Sequence, residues 1–258
     1  DNAHLEMIVY QKKFIRIVEC WNGEVPELSG VDLVRRFQQP QPIEGMSCRD
    51  FYTILLDLKQ GNEMLLARMK RDTRYEIRRA AAKDQFVYEC WGGKDPQVID
   101  EFCAYFDQFA TQKRQPTLDR LWLSLLAEAG ALTISRIAET SGETLVWHGY
   151  HRGKDRVTLL YSASLFRSNP TSAYRNRVGR ANRFQHWRDL LRFKDEGISI
   201  YDFGGWYEKD RDRERLRINK FKEEFGGEIV RNYICERPLT TKGRLFLLVR
   251  KLLLGNAI

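Results

Sequence analysis

Residues 198–227 read ISIYDFGGWYEKDRDRERLRINKFKEEFGG. Strand-like alternation over Ile198–Phe203 puts Asp202 on the same face as Ile198 and Ile200. In the helix-like run that follows, Ile218, Phe221, Lys222 and Phe225 fall at i, i+3, i+4 and i+7, a single stripe. A strand, a Gly-Gly turn, a helix and a second Gly-Gly turn therefore carry one carboxylate and one amine at core-facing positions. A charge placed there is costly unless it is paired or used. The stretch is thus a candidate site as well as the key to the fold.

Around it lies a chain of 258 residues, enough for one large domain or two small lobes with ample core. Its apolar runs fall far short of the roughly 18 residues of a membrane span. The start, DNAHLEMIVYQKKF, lacks the basic-then-apolar pattern of a signal peptide. Five cysteines are scattered, odd in number and never in CxxC spacing, and read as reduced core thiols of a cytoplasmic protein. Four histidines add little metal-binding capacity, because His148 and His151 lie three apart on a strand and face opposite sides. No metal site is expected.

The net charge of +8 is unevenly placed. Between Arg167 and Lys194 eight basic residues accompany the single Asp189, and the tail from Pro238 to Ile258 has Lys242, Arg244, Arg250 and Lys251 without an acid. Such concentration points to phosphate in a substrate or to an anionic membrane surface; a solvated basic face is the plainer alternative.

Periodicity predicts paired strands at Met7–Tyr10 and Phe14–Trp21, a loop-rich segment 26–45 punctuated by Pro40 and Pro42, and a buried strand at Phe51–Leu58. Helices are expected from Asn62, from Asp72 or Thr73 to about Lys83, over Asp95–Gln112 and over Leu118–Ala129, with a strand at Phe86–Trp91. After Gly130 three closely spaced strands form a meander: Leu132–Glu139, Thr144–His151 and Val157–Ser162. A polar loop (164–174), a long helix to about Glu196, a strand, a helix, the strand Glu228–Cys235 and a terminal helix complete a mixed α/β order.

That order resembles the GNAT (N-acetyltransferase) fold. Two motifs narrow the resemblance to its FemABX-like branch of peptidyltransferases and envelope acyltransferases. Met69-Lys-Arg-Asp-Thr-Arg-Tyr-Glu-Ile-Arg-Arg-Ala80 looks like the branch's "Arg-x-x-Ile-Arg-x-Ala" helix. Tyr201-Asp-Phe-Gly-Gly205 followed by Phe221-Lys-x-x-Phe-Gly-Gly227, with Trp187 and Gly197 upstream, looks like its C-terminal signature. The likeness spans about Leu55 to Tyr233. It implies a GNAT-like mixed sheet flanked by helices, with a partial second GNAT-like lobe at 1–129, a catalytic lobe at 130–237 and a basic amphipathic helix at 238–258. It also implies transfer of an acyl or aminoacyl group to an amine or hydroxyl of an envelope precursor. The absence of sustained heptads and the short first lobe favour a compact enzyme acylating a nucleotide- or lipid-linked sugar from acyl-CoA; an aminoacyl-tRNA-dependent peptidyltransferase is the alternative, and a non-catalytic module for an anionic ligand a third reading. The nearest match to the CoA-binding Gln/Arg-x-x-Gly-x-Gly/Ala loop is Asn176-Arg-Val-Gly179-Arg-Ala181, with Asn at its first position.

Acyl transfer needs an acceptor freed of its proton, a polarised donor carbonyl and contact between them. Asp202 is the first choice for the base, against the alternative that it caps the turn or pairs with an arginine. Lys222 is placed to stabilise an oxyanion or hold a phosphate, with its pKa lowered by the apolar stripe; snorkelling is the alternative. His148 is a second base candidate at neutral pH. Arg175, Arg177, Gly179, Arg180 and Asn182 are expected on the donor side, along with Arg183 and His186. Arg74 and Arg78, on one helical face with Arg71, are expected to bind acceptor or donor phosphates. Tyr161, Ser162, Gly204 and Gly205 complete the acceptor side. The leucine-rich, basic helix Gly243–Leu254 is expected to dock on an anionic membrane, or else on the body or a second protomer.

Overall fold

The structure is a computed structural model and describes residues 7–21, 29–166, 171–208 and 212–254. In chain order its elements begin with β1 (Met7–Lys12), β2 (Ile15–Cys20), β3 (Leu33–Gln39), β4 (Ser47–Asp57), α1 (Asn62–Arg68) and α2 (Arg71–Arg79), the last prolonged by a π-helical turn, Ala80–Asp84. Next come β5 (Val87–Trp91), α3 (Pro96–Lys113), α4 (Arg120–Glu128), β6 (Leu132–Ala138), β7 (Thr144–Arg152), β8 (Arg156–Ser164) and α5 (Ser172–Asp195). The chain closes with β9 (Ile200–Gly205), α6 (Arg213–Glu223), β10 (Glu228–Pro238) and α7 (Thr241–Leu254). The mixed α/β reading is borne out. The helix starts are dictated locally: the side chains of Asp95, Asp119, Thr171 and Asp212 accept first-turn amides of α3, α4, α5 and α6.

Two compact units form, one of residues 53–230 and one of 1–52 with 231–258. In the larger, β4 pairs antiparallel with β9, β9 parallel with β8, and β8, β7, β6 and β5 follow as an antiparallel meander. Its core includes Leu56, Leu65, Tyr150, Leu190, Phe193, Tyr201, Phe203 and Phe225. The two motif stretches meet here: the amide of Lys70 donates to the carbonyl of Glu224 at 2.8 Å, and Thr73 Oγ1 to its carboxylate at 3.2 Å. At Gly226 (φ +76°) an added Cβ would lie 2.3 Å from the Arg68 carbonyl, so the second Gly-Gly turn is demanded by close backbone approach.

In the smaller unit β1 pairs antiparallel with β2, β2 parallel with β3, and β3 antiparallel with β10. Two expectations are corrected. The segment expected as loop holds β3, whose Leu33 and Val34 are buried; Pro40 and Pro42 end that strand instead of preventing it. The cysteines are not all free thiols, for Cys48 and Cys235 form a disulfide. Their separation of 187 residues hides the pair from any reading of spacing, and pairing of β3 with β10 helps bring the two ends of the unit together. Cys20, Cys90 and Cys103 are not disulfide-bonded. No helix is long and apolar enough to cross a membrane among the described residues.

Candidate functional site

The ladder between β8 and β9 ends early. Its pairs are Arg156 with Ile200, Val157 with Tyr201 and Thr158 with Asp202, whereas β8 stays paired to β7 as far as Ser164. Past Thr158 the two parallel strands part, and a cleft of about 700 Å³ opens between them, walled by Leu159–Ser162 from β8, Phe203 and Gly205 from β9, Phe106 and Phe109 from α3, Asn182 and His186 from α5, and Ile218, Phe221 and Lys222 from α6.

Lys222 therefore lies where the helical stripe of α6 faces a cleft. Its Nζ donates to the carbonyl of Gly205 at 2.6 Å. Burial lowers its pKa to about 8, outweighing the attraction of Asp202, so the amine is still mostly charged at neutral pH. Gly205 follows Gly204, which has φ +67° and would press a Cβ to 2.5 Å from the Leu159 carbonyl. The Gly-Gly pair lets β9 turn away beside β8.

Asp202 anchors that turn. It is fully buried; its Oδ2 accepts from Arg156 Nη2 at 2.6 Å, Arg156 Nε at 3.0 Å and Thr158 Oγ1 at 3.0 Å, and its Oδ1 accepts from the Gly204 amide at 2.8 Å and from Thr53 Oγ1. This is the arginine-paired, turn-capping arrangement, and Asp202 is not part of the cleft wall. The periodicity that flags it as a misplaced charge carries no information about Arg156, 46 residues earlier.

His148 is likewise fully buried behind the cleft wall. Its Nδ1 is 2.9 Å from Asp189 Oδ2 and its Nε2 is 3.0 Å from the Asn182 side chain, so Asn182 links the histidine to the cleft. Asp189, expected only as the lone acid of the basic helix, is the hub of a buried network. Tyr88 Oη donates to its Oδ1 at 2.8 Å and Tyr150 Oη to its Oδ2 at 2.5 Å. With its proton committed to the carboxylate, Tyr150 Oη accepts from Tyr201 Oη at 2.9 Å, and Tyr201 in turn accepts from His186 Nδ1 at 2.8 Å. His186 then presents an Nε2 lone pair, and it lines the cleft. Burial, with His148 next, holds its pKa well below the ordinary value and keeps the ring neutral. Burial and then Asp189 raise Tyr150 and Tyr201 well above theirs.

Solved structures share this arrangement of elements. One titled "Crystal structure of FemX" superposes with a TM-score of 0.67, at 11% identity, over 94% of this chain and 86% of that one. The fold is FemX-like. The C-terminal domain of a putative lysylphosphatidylglycerol synthetase from Agrobacterium fabrum follows at 0.57, with 13% identity over 98% of this chain and 86% of that one. L-PGS from Bacillus licheniformis gives 0.56, with 11% identity over 95% and 85%. No protein-family model matches the sequence, and a search of curated proteins finds no match.

Within the FemX-like fold the expected site residues divide. Lys222, Asn182, Tyr161, Ser162 and Gly205 come together in the cleft wall. Asn176–Ala181 lies inside α5, beyond the first turn whose amides are open to a ligand. There Arg177 binds Glu139 and Asp84, and Arg180 binds Asp84 at 2.8 Å; a Cβ added at Gly179 would lie 3.8 Å from the Arg183 guanidinium, and Arg175 is exposed. Arg74 donates to the Ala67 and Met69 carbonyls at 2.8 Å, Arg78 is exposed, and neither lines the cleft. Arg167 of the basic run lies outside the described residues. His186 and its tyrosine network exceed what periodicity could find, since each member reads as an ordinary core residue until its partner is known.

Proposed function

We propose that the protein is an acyltransferase that moves an acyl or aminoacyl group onto an amine or hydroxyl of a cell-envelope precursor, a nucleotide- or lipid-linked sugar. The observation that carries this is the Lys222 ammonium, held against Gly205 in the wall of a cleft that also contains the His186 imidazole and the Ser162 and Tyr161 hydroxyls. The acceptor nitrogen or oxygen attacks the donor carbonyl, forming one C–N or C–O bond. The resulting oxyanion is stabilised by Lys222, whose remaining N–H groups are available to it. His186 Nε2 takes the acceptor proton, and Tyr201 fixes the tautomer that makes this lone pair available. Collapse breaks the donor's C–S or C–O bond, and the proton held on His186 passes to the departing sulfur or ribose oxygen. Asp202 and His148 serve as positioning residues, one for the Gly204 turn and the other for Asn182.

Acyl-CoA is one donor for this chemistry. A second reading, an aminoacyl-tRNA donor, is favoured by the engagement of Arg177 and Arg180 with Asp84, which removes them from a CoA phosphate. The two lobes expected from the motifs remain part of this proposal, with 130–237 supplying the catalytic side chains.

The test is consumption of radiolabelled acyl-CoA or aminoacyl-tRNA, in parallel, with envelope-precursor acceptors. Transfer from either donor that falls at least a hundredfold in Lys222→Ala supports the proposal. Turnover unchanged in that variant, or no transfer from either donor, overturns it.

A further inference from the structure

The C-terminal helix α7 has two apolar sides. One is spent on its own unit: Gly243 packs so closely that a Cβ would lie 2.1 Å from the Asp32 carbonyl, Phe246 meets Phe14 edge-on at 6.3 Å, and Arg250 is bound to Glu236 at 2.9 Å. The opposite side carries Leu245, Leu248 and Leu252 at i, i+3 and i+7, which are 52, 56 and 75% exposed. An exposed helix side normally holds polar residues. Here a leucine row stands in water, with Arg244 and Lys251 along one border, and both are exposed.

Charge decides what covers this row. No acidic residue occurs from Leu239 to Ile258, while Lys242, Arg244, Arg250 and Lys251 do. A second copy of the helix laid on the row would set like charges beside one another with nothing to neutralise them. An anionic bilayer supplies both complements, an acyl boundary for the leucines and negative headgroups for the flanking cations.

We infer that α7 is a docking surface for anionic membranes, by which the Leu245–Leu248–Leu252 row inserts at the headgroup boundary and Arg244 and Lys251 contact the headgroups. The inference is independent of the chemistry in the cleft.

The experiment is co-sedimentation of the full chain with vesicles of phosphatidylcholine alone or with a quarter phosphatidylglycerol, at low and high salt. Binding to the anionic vesicles only, weakened by salt, is the expected result. The pair Leu248→Ser with Leu252→Ser should reduce it about tenfold or more, as should Arg244→Glu with Lys251→Glu, with thermal melting unchanged in both. Equal binding to both vesicles, or no binding, overturns the inference. So does a stable dimer that the leucine variant dissociates while lipid binding persists.

Discussion

Lys222 Nζ lies 2.6 Å from the carbonyl oxygen of Gly205, which ties the last turn of α6 to the end of β9 in the cleft wall. Burial brings its pKa from 10.5 to about 8, a penalty of about 3 kcal/mol on the charged form at neutral pH. Because the folded chain sheds this proton more readily than the unfolded chain, stability rises with pH between about 8 and 10.5. Lys222→Met should melt a few degrees above the parent protein at pH 7, and the difference should shrink as pH approaches 10. If the ammonium stabilises the oxyanion, kcat/KM falls as pH rises through 8. A flat alkaline profile would remove it from that role.

Asp202 should behave as a structural carboxylate. Asp202→Asn removes the buried carboxylate charge that binds Arg156 and Thr158 and holds the Gly204 amide, at a cost of about 3–5 kcal/mol. Urea denaturation should show a lower midpoint with an unchanged slope, and Asp202→Asn combined with Arg156→Met should recover part of the loss. A variant of parental stability that lacks turnover would return Asp202 to the chemistry.

Glu236 in the smaller unit bonds to both Arg250 and Arg35. Burial pushes its carboxyl up, but the two guanidinium groups outweigh this and hold it at about 2 against an ordinary 4.5. Its stabilisation, of order 3 kcal/mol, is complete above pH 4.5 and is lost as pH falls toward 2. Glu236→Gln should flatten the acid limb of a stability-versus-pH curve over that window.

The Cys48–Cys235 disulfide closes a loop of 187 residues' separation. Reduction, or Cys48→Ser with Cys235→Ser, should destabilise the chain by about 2–4 kcal/mol, measured by denaturation with and without dithiothreitol. An identical midpoint under both conditions would mean that the bond does not contribute to the solution state.

Much of the architecture was legible in the order and period of the residues. The meander after Gly130, the long helix ending near Glu196 and the Lys222 stripe follow from side chains repeating at 2 or 3.6 residues. Periodicity reports which side of an element is buried. It does not report against what. Asp202 read as a charge out of place because Arg156 sits on another strand, and Asp189 read as a stray acid because Tyr88, Tyr150 and His148 reach it from β5 and β7.

The sequence alone thus determined the elements, their order and the two charged residues that mark the C-terminal motif. The tertiary structure decided which of those charges meets a cleft. The physical reason is that a buried polar group is stable only with partners in three dimensions. For Asp202 those partners close around it, whereas Lys222 keeps one contact and faces open space beside His186.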